Sequence, residues 1–421
     1  MPAEAQKHIA ANGLRIVSAQ ALQSSGDQMV NASTVLPWLF ATLGVPPALT
    51  GLLVPIRESG SMLPQVFLTP WVLRVRYRKW VFITGALVQA AAVGTMALIA
   101  ALAEGLVAGI SLLVVLTIFS LGRCLTSISS KDVQGRTVPK GERGQVNGLA
   151  TTAAGIVAIT IGLGIRLFGG AGLSSAQLAW LLAAGSAMWV GVSLIYTGIR
   201  EPAPQNNPAD ETEDDDSIGA MFSVLRDDKP FRHFVVVRSL LLVSSLSPPF
   251  VVALSIQHGA DSIAGLGGFI IASGLAALIG GRLFGRLADR SSRLLMIIGA
   301  GVASSIVLTI VVLAAIPDLL GEGLLTNIIF IIVYLGLTLM HTGVRVGRKT
   351  YLVDMAEGDQ RTTYTAVSNT VLGIVLLLIG GISSLLATWH IFAALVFLAG
   401  LGLVGVLTAA RLPEVSKAQD Q

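Results

Sequence analysis

Four sets of polar side chains recur at helical spacing inside stretches that are otherwise apolar. Glu58, Ser61 and Gln65 fall three and four residues apart within "LLVPIRESGSMLPQVFL", residues 52–68, so on a helix they form one stripe. Asp27, Asn31, Thr34 and Trp38 make a second stripe, Ser120, Arg123, Ser127 and Ser130 a third, and Thr338, His341, Thr342 and Arg345 a fourth. A carboxylate in apolar surroundings is held neutral by desolvation or ionised by a nearby cation, so Glu58 and Asp27 could bind and release a proton as their surroundings change. Arg57 stands about 100° from Glu58 around the helix and must find its partner elsewhere. Arg57, Asn31, Trp38, Ser61, Gln65, Arg123, His341 and Asn369 are the expected lining of a polar cavity. Four of these residues have a structural alternative. Glu58 could be a permanently paired ion, Asp27 a charge at a helix terminus, Arg123 a snorkelling interfacial cation and His341 a hydrogen-bonded packing residue. Arg166 and Arg238, nearer the helix ends, read as interfacial anchors.

Covalent chemistry is poorly served. The chain has no H-E-x-x-H, no G-x-S-x-G, no P-loop and no C-x-x-C, and its five histidines are dispersed. No enzyme activity, metal or cofactor is expected, and without a P-loop any uphill work would draw on an ion gradient. The single cysteine, Cys124, sits in an apolar run and reads as a small buried hydrophobe.

The elements that must position these stripes are membrane helices. Of 421 residues, 53% are hydrophobic and only 12% charged, and the mean hydropathy is +0.76, far from the composition of a soluble globular chain. A span needs about 20 apolar residues at 1.5 Å each. Twelve are expected, near 22–44, 47–70, 79–103, 106–129, 146–168, 176–198, 233–256, 262–286, 293–316, 322–345, 364–386 and 389–410. Arg74, Arg76, Arg78, Lys79, Lys131, Arg136, Lys140 and Arg143 fall in alternate loops, as do Arg200, Arg226, Lys229, Arg232, Arg286, Arg290, Arg293, Arg348, Lys349 and Arg361. The intervening loops, such as "GGAGLSSAQ" and "QHGADS", have neither lysine nor arginine, which places both termini in the cytoplasm. The net charge of +4 is thus a topology and anionic-lipid signal, with no case for nucleic acid. Residues 1–21 read as a polar cytoplasmic lead, 22–198 as a six-helix bundle, 199–232 as a cytoplasmic linker, 233–410 as a second bundle and 411–421 as a tail. The linker carries an acidic run from Asp210 to Asp216, and after it "MFSVLRDDKPFRHF" reads as a short surface helix.

The halves also repeat. A shift of 218 lays Lys131 on Lys349, Arg143 on Arg361, Gly155 on Gly373 and Arg123 on His341; a shift of 214 lays Ser59 and Gly60 on Ser273 and Gly274. The last pair under the first shift implies facing sides of one cavity. Duplicated six-span halves are a mark of secondary transporters. The segment "GRLADRSSR", Gly285 to Arg293, is similar to the loop signature G-x-x-x-D-[RK]-x-G-[RK] of the major facilitator superfamily: Gly285, Asp289, Arg290 and Arg293 match, while Ser292 stands in the usual glycine position. In the first half "WVLRVRYRK" has Val75 in the aspartate position. The resemblance implies an all-α membrane protein of twelve transmembrane helices in two pseudo-symmetric six-helix bundles, working by alternating access with Asp289 as a latch. Joined to the stripes, it implies a secondary transporter of a small organic solute, driven by a proton or other ion gradient, in contact with lipid in a bacterial inner membrane. Export ranks first, because the stripes mix acid, base and hydroxyls with few stacking aromatics; uptake symport ranks second. A membrane scaffold that transports nothing is the reading from another class.

Overall fold

The computed structural model describes residues 9–137, 153, 155–164, 174–201, 218–259, 263–316, 319–321, 323–355 and 360–415. Among them every regular element is a helix. In chain order they are α1 Ile9–Met29, α2 Val35–Thr42, α3 Pro47–Thr50, α4 Leu53–Met62, α5 Gln65–Arg74, α6 Arg78–Leu102 and α7 Gly105–Thr137. A short apolar helix, α8 Gly155–Gly164, precedes α9 Ser175–Thr197. The second half holds α10 Ile218–Asp227, α11 Lys229–Leu240, α12 Val243–Gln257, α13 Ile263–Ala315, α14 Leu324–Met355, α15 Gln360–Trp389 and α16 Ile391–Ala409. Among the described residues, eight stretches are long and apolar enough to cross a membrane, and shorter apolar helices run over Gly155–Gly164 and Gly265–Gly280. The fold is the expected all-α membrane architecture of two six-span halves. The acidic linker run, Lys140, Arg143 and Arg166 lie outside the described residues, as do the side chains of Lys131 and Arg361.

Several helices differ from the continuous spans read from hydropathy. The first begins at Ile9, well inside the expected polar lead, where Asn12 exchanges hydrogen bonds with the Arg200 backbone at 3.0 and 3.1 Å. It then breaks between Met29 and Val35, where Asn31 Oδ1 accepts the Ser33 N–H at 2.8 Å in a local turn. The second span is three pieces, α3 to α5: Pro55 has no N–H to offer the Gly51 carbonyl, where α3 ends, and Pro64, at the start of α5, lacks the N–H a continuous helix would need. The seventh starts at Lys229, with Asp228 capping the Phe231 N–H at 2.9 Å, so the expected surface helix ends before "KPFRH". That span breaks at Leu241, where ψ reaches 47°. Spans eight and nine run on as α13, separated only by non-helical geometry at Ser291. Both first helices of the two halves are therefore discontinuous, a device tolerated in a membrane where the freed backbone groups line a cavity.

The end bearing the basic loops is clamped within each half. Arg78 pairs with Asp132 at 2.8 Å, and Arg136 with Asp132 at 3.1 Å and with Glu201 at 3.3 Å. Glu201 also accepts the Arg78 and Lys79 backbone N–H groups at 3.1 and 3.0 Å. Burial raises the Glu201 carboxyl pKa, against the pull of those donors and Arg136. In the second half Arg293 donates to the Leu412 carbonyl at 2.9 Å and lies 3.6 Å from Glu414. Glu201 and Glu414 each follow the last helix of a half and hold the start of its third, so the repeat extends to the clamps.

Contact between the halves is closest toward the opposite end. The Ser59 hydroxyl donates to the Gly373 carbonyl at 2.7 Å, and Ser384 bonds the Ala48 carbonyl. A Cβ on Gly380 would stand 2.0 Å from Pro55 Cγ, and one on Gly51 would stand 2.6 Å from Phe250. Lack of a side chain at these two positions lets α15 and α12 close on α3 and α4. In α8, a Cβ on Gly162 would meet the Gly267 carbonyl at 2.9 Å, so a second pair of helices closes the same way.

Candidate functional site

Between the halves lies a cavity of about 720 Å³. Its floor comes from the broken helices: Asn31 and Ser33 at the α1–α2 break, Leu242, Ser244 and Ser245 at the α11–α12 break. From there it extends along α4 past Arg57, Glu58 and Ser61 to Gln65 at the start of α5, and along α14 past Thr338, His341, Arg345, Arg348 and Lys349 to Leu352, toward the end with the basic loops. The opposite end is closed by the glycine contacts above. The α14 residues Thr338, His341, Arg345 and Arg348 are three and four apart, so the helix presents them as one face.

The expected lining is largely brought together. Asn31, Arg57, Glu58, Ser61, Gln65, His341 and Asn369 all border the cavity. Three residues are elsewhere. Trp38 is only 1% exposed and tilts against Phe269 at 6.1 Å, so it is core. Arg123 turns to Asp27 at 2.5 Å, and Arg57 reaches the same oxygen at 3.1 Å. Asp27 therefore sits between two guanidiniums behind the cavity wall. Arg123 and His341 match under the repeat, yet only His341 reaches the cavity, because Asp27 takes up Arg123.

Glu58 stands differently. Among the described residues it is the one carboxylate lining the cavity, against Arg57, Arg238, Arg345, Arg348 and Lys349, and it forms no ion pair within 4.0 Å there. In the loop signature, Gly285 is half-buried and Arg290 exposed, Arg293 belongs to the Glu414 clamp, and the Asp289 side chain lies outside the described residues. No group of three or more potential metal ligands occurs among the described residues.

Arg238 corrects the sequence reading. It is no interfacial anchor: it lines the cavity and donates to Ser368 Oγ at 2.6 Å and Asn369 Oδ1 at 2.7 Å. Arg348 and Lys349, read as loop cations, sit on α14 facing the cavity. The signal was present: Arg348 continues the His341 stripe by seven residues, and Ser245 follows Arg238 by seven. In the sequence it is masked because both cations stand near span ends, where lysine and arginine ordinarily mark topology.

A sequence profile for the Major Facilitator Superfamily matches residues 16–371. A search of curated proteins finds no match. Among solved structures, a D-xylose-proton symporter aligns with a TM-score of 0.72 at 12% identity, over 96% of this chain and 98% of that one. The nucleoside transporter NupG aligns with a TM-score of 0.66 at 13% identity, over 95% and 98%. A POT family transporter in complex with a thioalcohol-conjugated peptide aligns at 0.70 with 12% identity, over 94% of each chain. At these identities the likeness is one of fold.

Proposed function

The chain belongs to the Major Facilitator Superfamily, and from that premise we propose that it carries a small organic solute through the central cavity by alternating access, with protonation of Glu58 as the coupling step. The observation that carries this reading is the contrast between two carboxylates. Asp27 is fixed between Arg57 and Arg123, while Glu58 borders the cavity with no direct ion pair among the described residues. An uncompensated charge at membrane depth costs at least about 2.5 to 3.5 kcal/mol. A carboxylate that changes surroundings as the cavity opens to one side and then the other can therefore exchange a proton with each compartment in turn. Asp27 then serves as the ion that ties α1, α4 and α7 together.

Direction follows from the sign of the linkage. A solute that competes with the proton at Glu58 would be exported by an inward proton gradient; one that binds beside protonated Glu58 would be taken up. The surplus of cations around Glu58 favours the second, so uptake symport is the better supported reading and export the weaker. The location we propose is a bacterial inner membrane with both termini cytoplasmic, which makes the cavity inward-facing. A cysteine at Ser174, in a chain lacking Cys124, is then labelled from outside intact cells, and one at Ser217 is not. Comparing metabolite profiles of cells making the wild-type chain or Glu58→Gln at equal membrane levels, with and without a protonophore, tests the function. Solutes should accumulate in wild-type cells alone and disperse with the protonophore. Identical profiles for the two chains would remove the coupling role; profiles equal to those of cells lacking the protein would favour a scaffold.

A further inference from the structure

We propose that the cavity recognises its solute through an anionic oxygen group, a carboxylate or a phosphate, bound by Arg238 of α11 and Arg348 of α14. The inference rests on the transport reading above and names the chemistry of what is carried.

The cavity is built from donors. Arg238 is oriented by two neutral acceptors, Ser368 Oγ and Asn369 Oδ1, so its position is fixed while its charge is not neutralised. Its Nε is buried without a hydrogen-bond partner among the described residues, as is one terminal nitrogen of Arg348. Ser244 Oγ and His341 Nδ1, which line the same cavity, are also buried and unpartnered. A guanidinium has donors only, and its planar fork matches the oxygens of a carboxylate or phosphate. Each such cation, with a buried donor unpaired and no carboxylate within 4.0 Å among the described residues, is costly, and an anion arriving with the solute offsets that cost. A neutral polyol would leave both charges unmatched, and a cationic solute would be repelled.

Glu58 fits the same scheme. It faces Arg57 on its own helix, Arg238 from α11, and His341, Arg345, Arg348 and Lys349 from α14, with Asp27 and Arg123 behind Arg57. When ionised it repels an anion from these cations. When protonated it leaves them to the solute, so proton and anion bind together.

The test is thermal unfolding of the purified chain in dodecyl maltoside at constant ionic strength. Succinate and inorganic phosphate are the anionic probes, succinamide is the neutral match for succinate, and lysophosphatidylglycerol presents the same charge as a lipid headgroup. Succinate or phosphate should raise the unfolding temperature by about 3 °C or more at saturation, and succinamide should not. Arg348→Gln should lose that shift while unfolding at or above the wild-type temperature without ligand, since an unmatched cation has been removed. A merely structural arginine would lower it. Arg238→Lys keeps the charge without the fork and should fold with a shift at most half as large. Four results would each overturn the proposal: no shift with either soluble anion, an equal shift with succinamide, an undiminished shift in both variants, or stabilisation by lysophosphatidylglycerol alone. Anion binding without solute movement in sealed vesicles would instead remove the transport reading and leave the site standing.

Discussion

At the scale of single residues, hydropathy alone treats two carboxylates, Asp27 and Glu58, alike. Glu58 interrupts an apolar run and Asp27 a more polar one, and both read as proton carriers from sequence. Their partners separate them: Asp27 holds two guanidiniums on one oxygen, at 2.5 and 3.1 Å, while Glu58 has none so close among the described residues. Asp27→Asn should accordingly strand Arg57 and Arg123, lowering stability by about 2 to 3 kcal/mol and reducing the folded yield in detergent. Glu58→Gln should leave the unfolding temperature nearly unchanged. Fluorescence-detected gel filtration after a heating series compares the two, and equal losses would mean that Glu58 is itself a structural ion. Spacing gave the stripes, because three- and four-residue intervals fix which side chains share a helix face. It could not give which carboxylate meets which cation, since Asp27 and Arg123 are brought together only when α1 packs beside α7.

At the scale of elements, the breaks in the first, second and seventh spans decide where the cavity lies. Hydropathy averages over a window and smooths a break of a few residues into one continuous span. The prolines at 47, 55 and 64 and the Asn31 turn were legible as local punctuation, but their placement beside one cavity needed the packing of the two halves. The tight glycines are the counterpart. Gly380 meets Pro55 and Gly51 meets Phe250 with no room for a methyl group, so Gly380→Val should force α15 from α4 and open the end remote from the basic loops. A cysteine at Thr50, 2% exposed in the closed arrangement, should then react with an impermeant thiol reagent several-fold faster than in the Gly380 parent. An unchanged rate would show that the seal yields by local repacking instead.

At the scale of the whole molecule, the all-α membrane class, the two halves and the face bearing the basic loops were legible, because composition, span length and the alternation of lysine and arginine are set by the bilayer itself. The cation surplus in the cavity was not: Arg238 and Arg348 lie near span ends, where a lysine or arginine ordinarily marks topology. In the proposed mechanism the two halves rock about a site whose proton occupancy biases the motion. In a chain lacking Cys124, spin labels at Ala41 and Thr388 report the end remote from the basic loops, and labels at Arg76 and Arg290 report the other. Pulsed electron resonance distances, taken from pH 5 to pH 9 in lipid nanodiscs, test the claim most directly. Acidification should shift weight between two distance populations, the pairs changing in opposite senses, and Glu58→Gln should fix the distribution at its acidic form across the range. A single population at both ends that ignores pH, or a pH response that survives intact in Glu58→Gln, would contradict it.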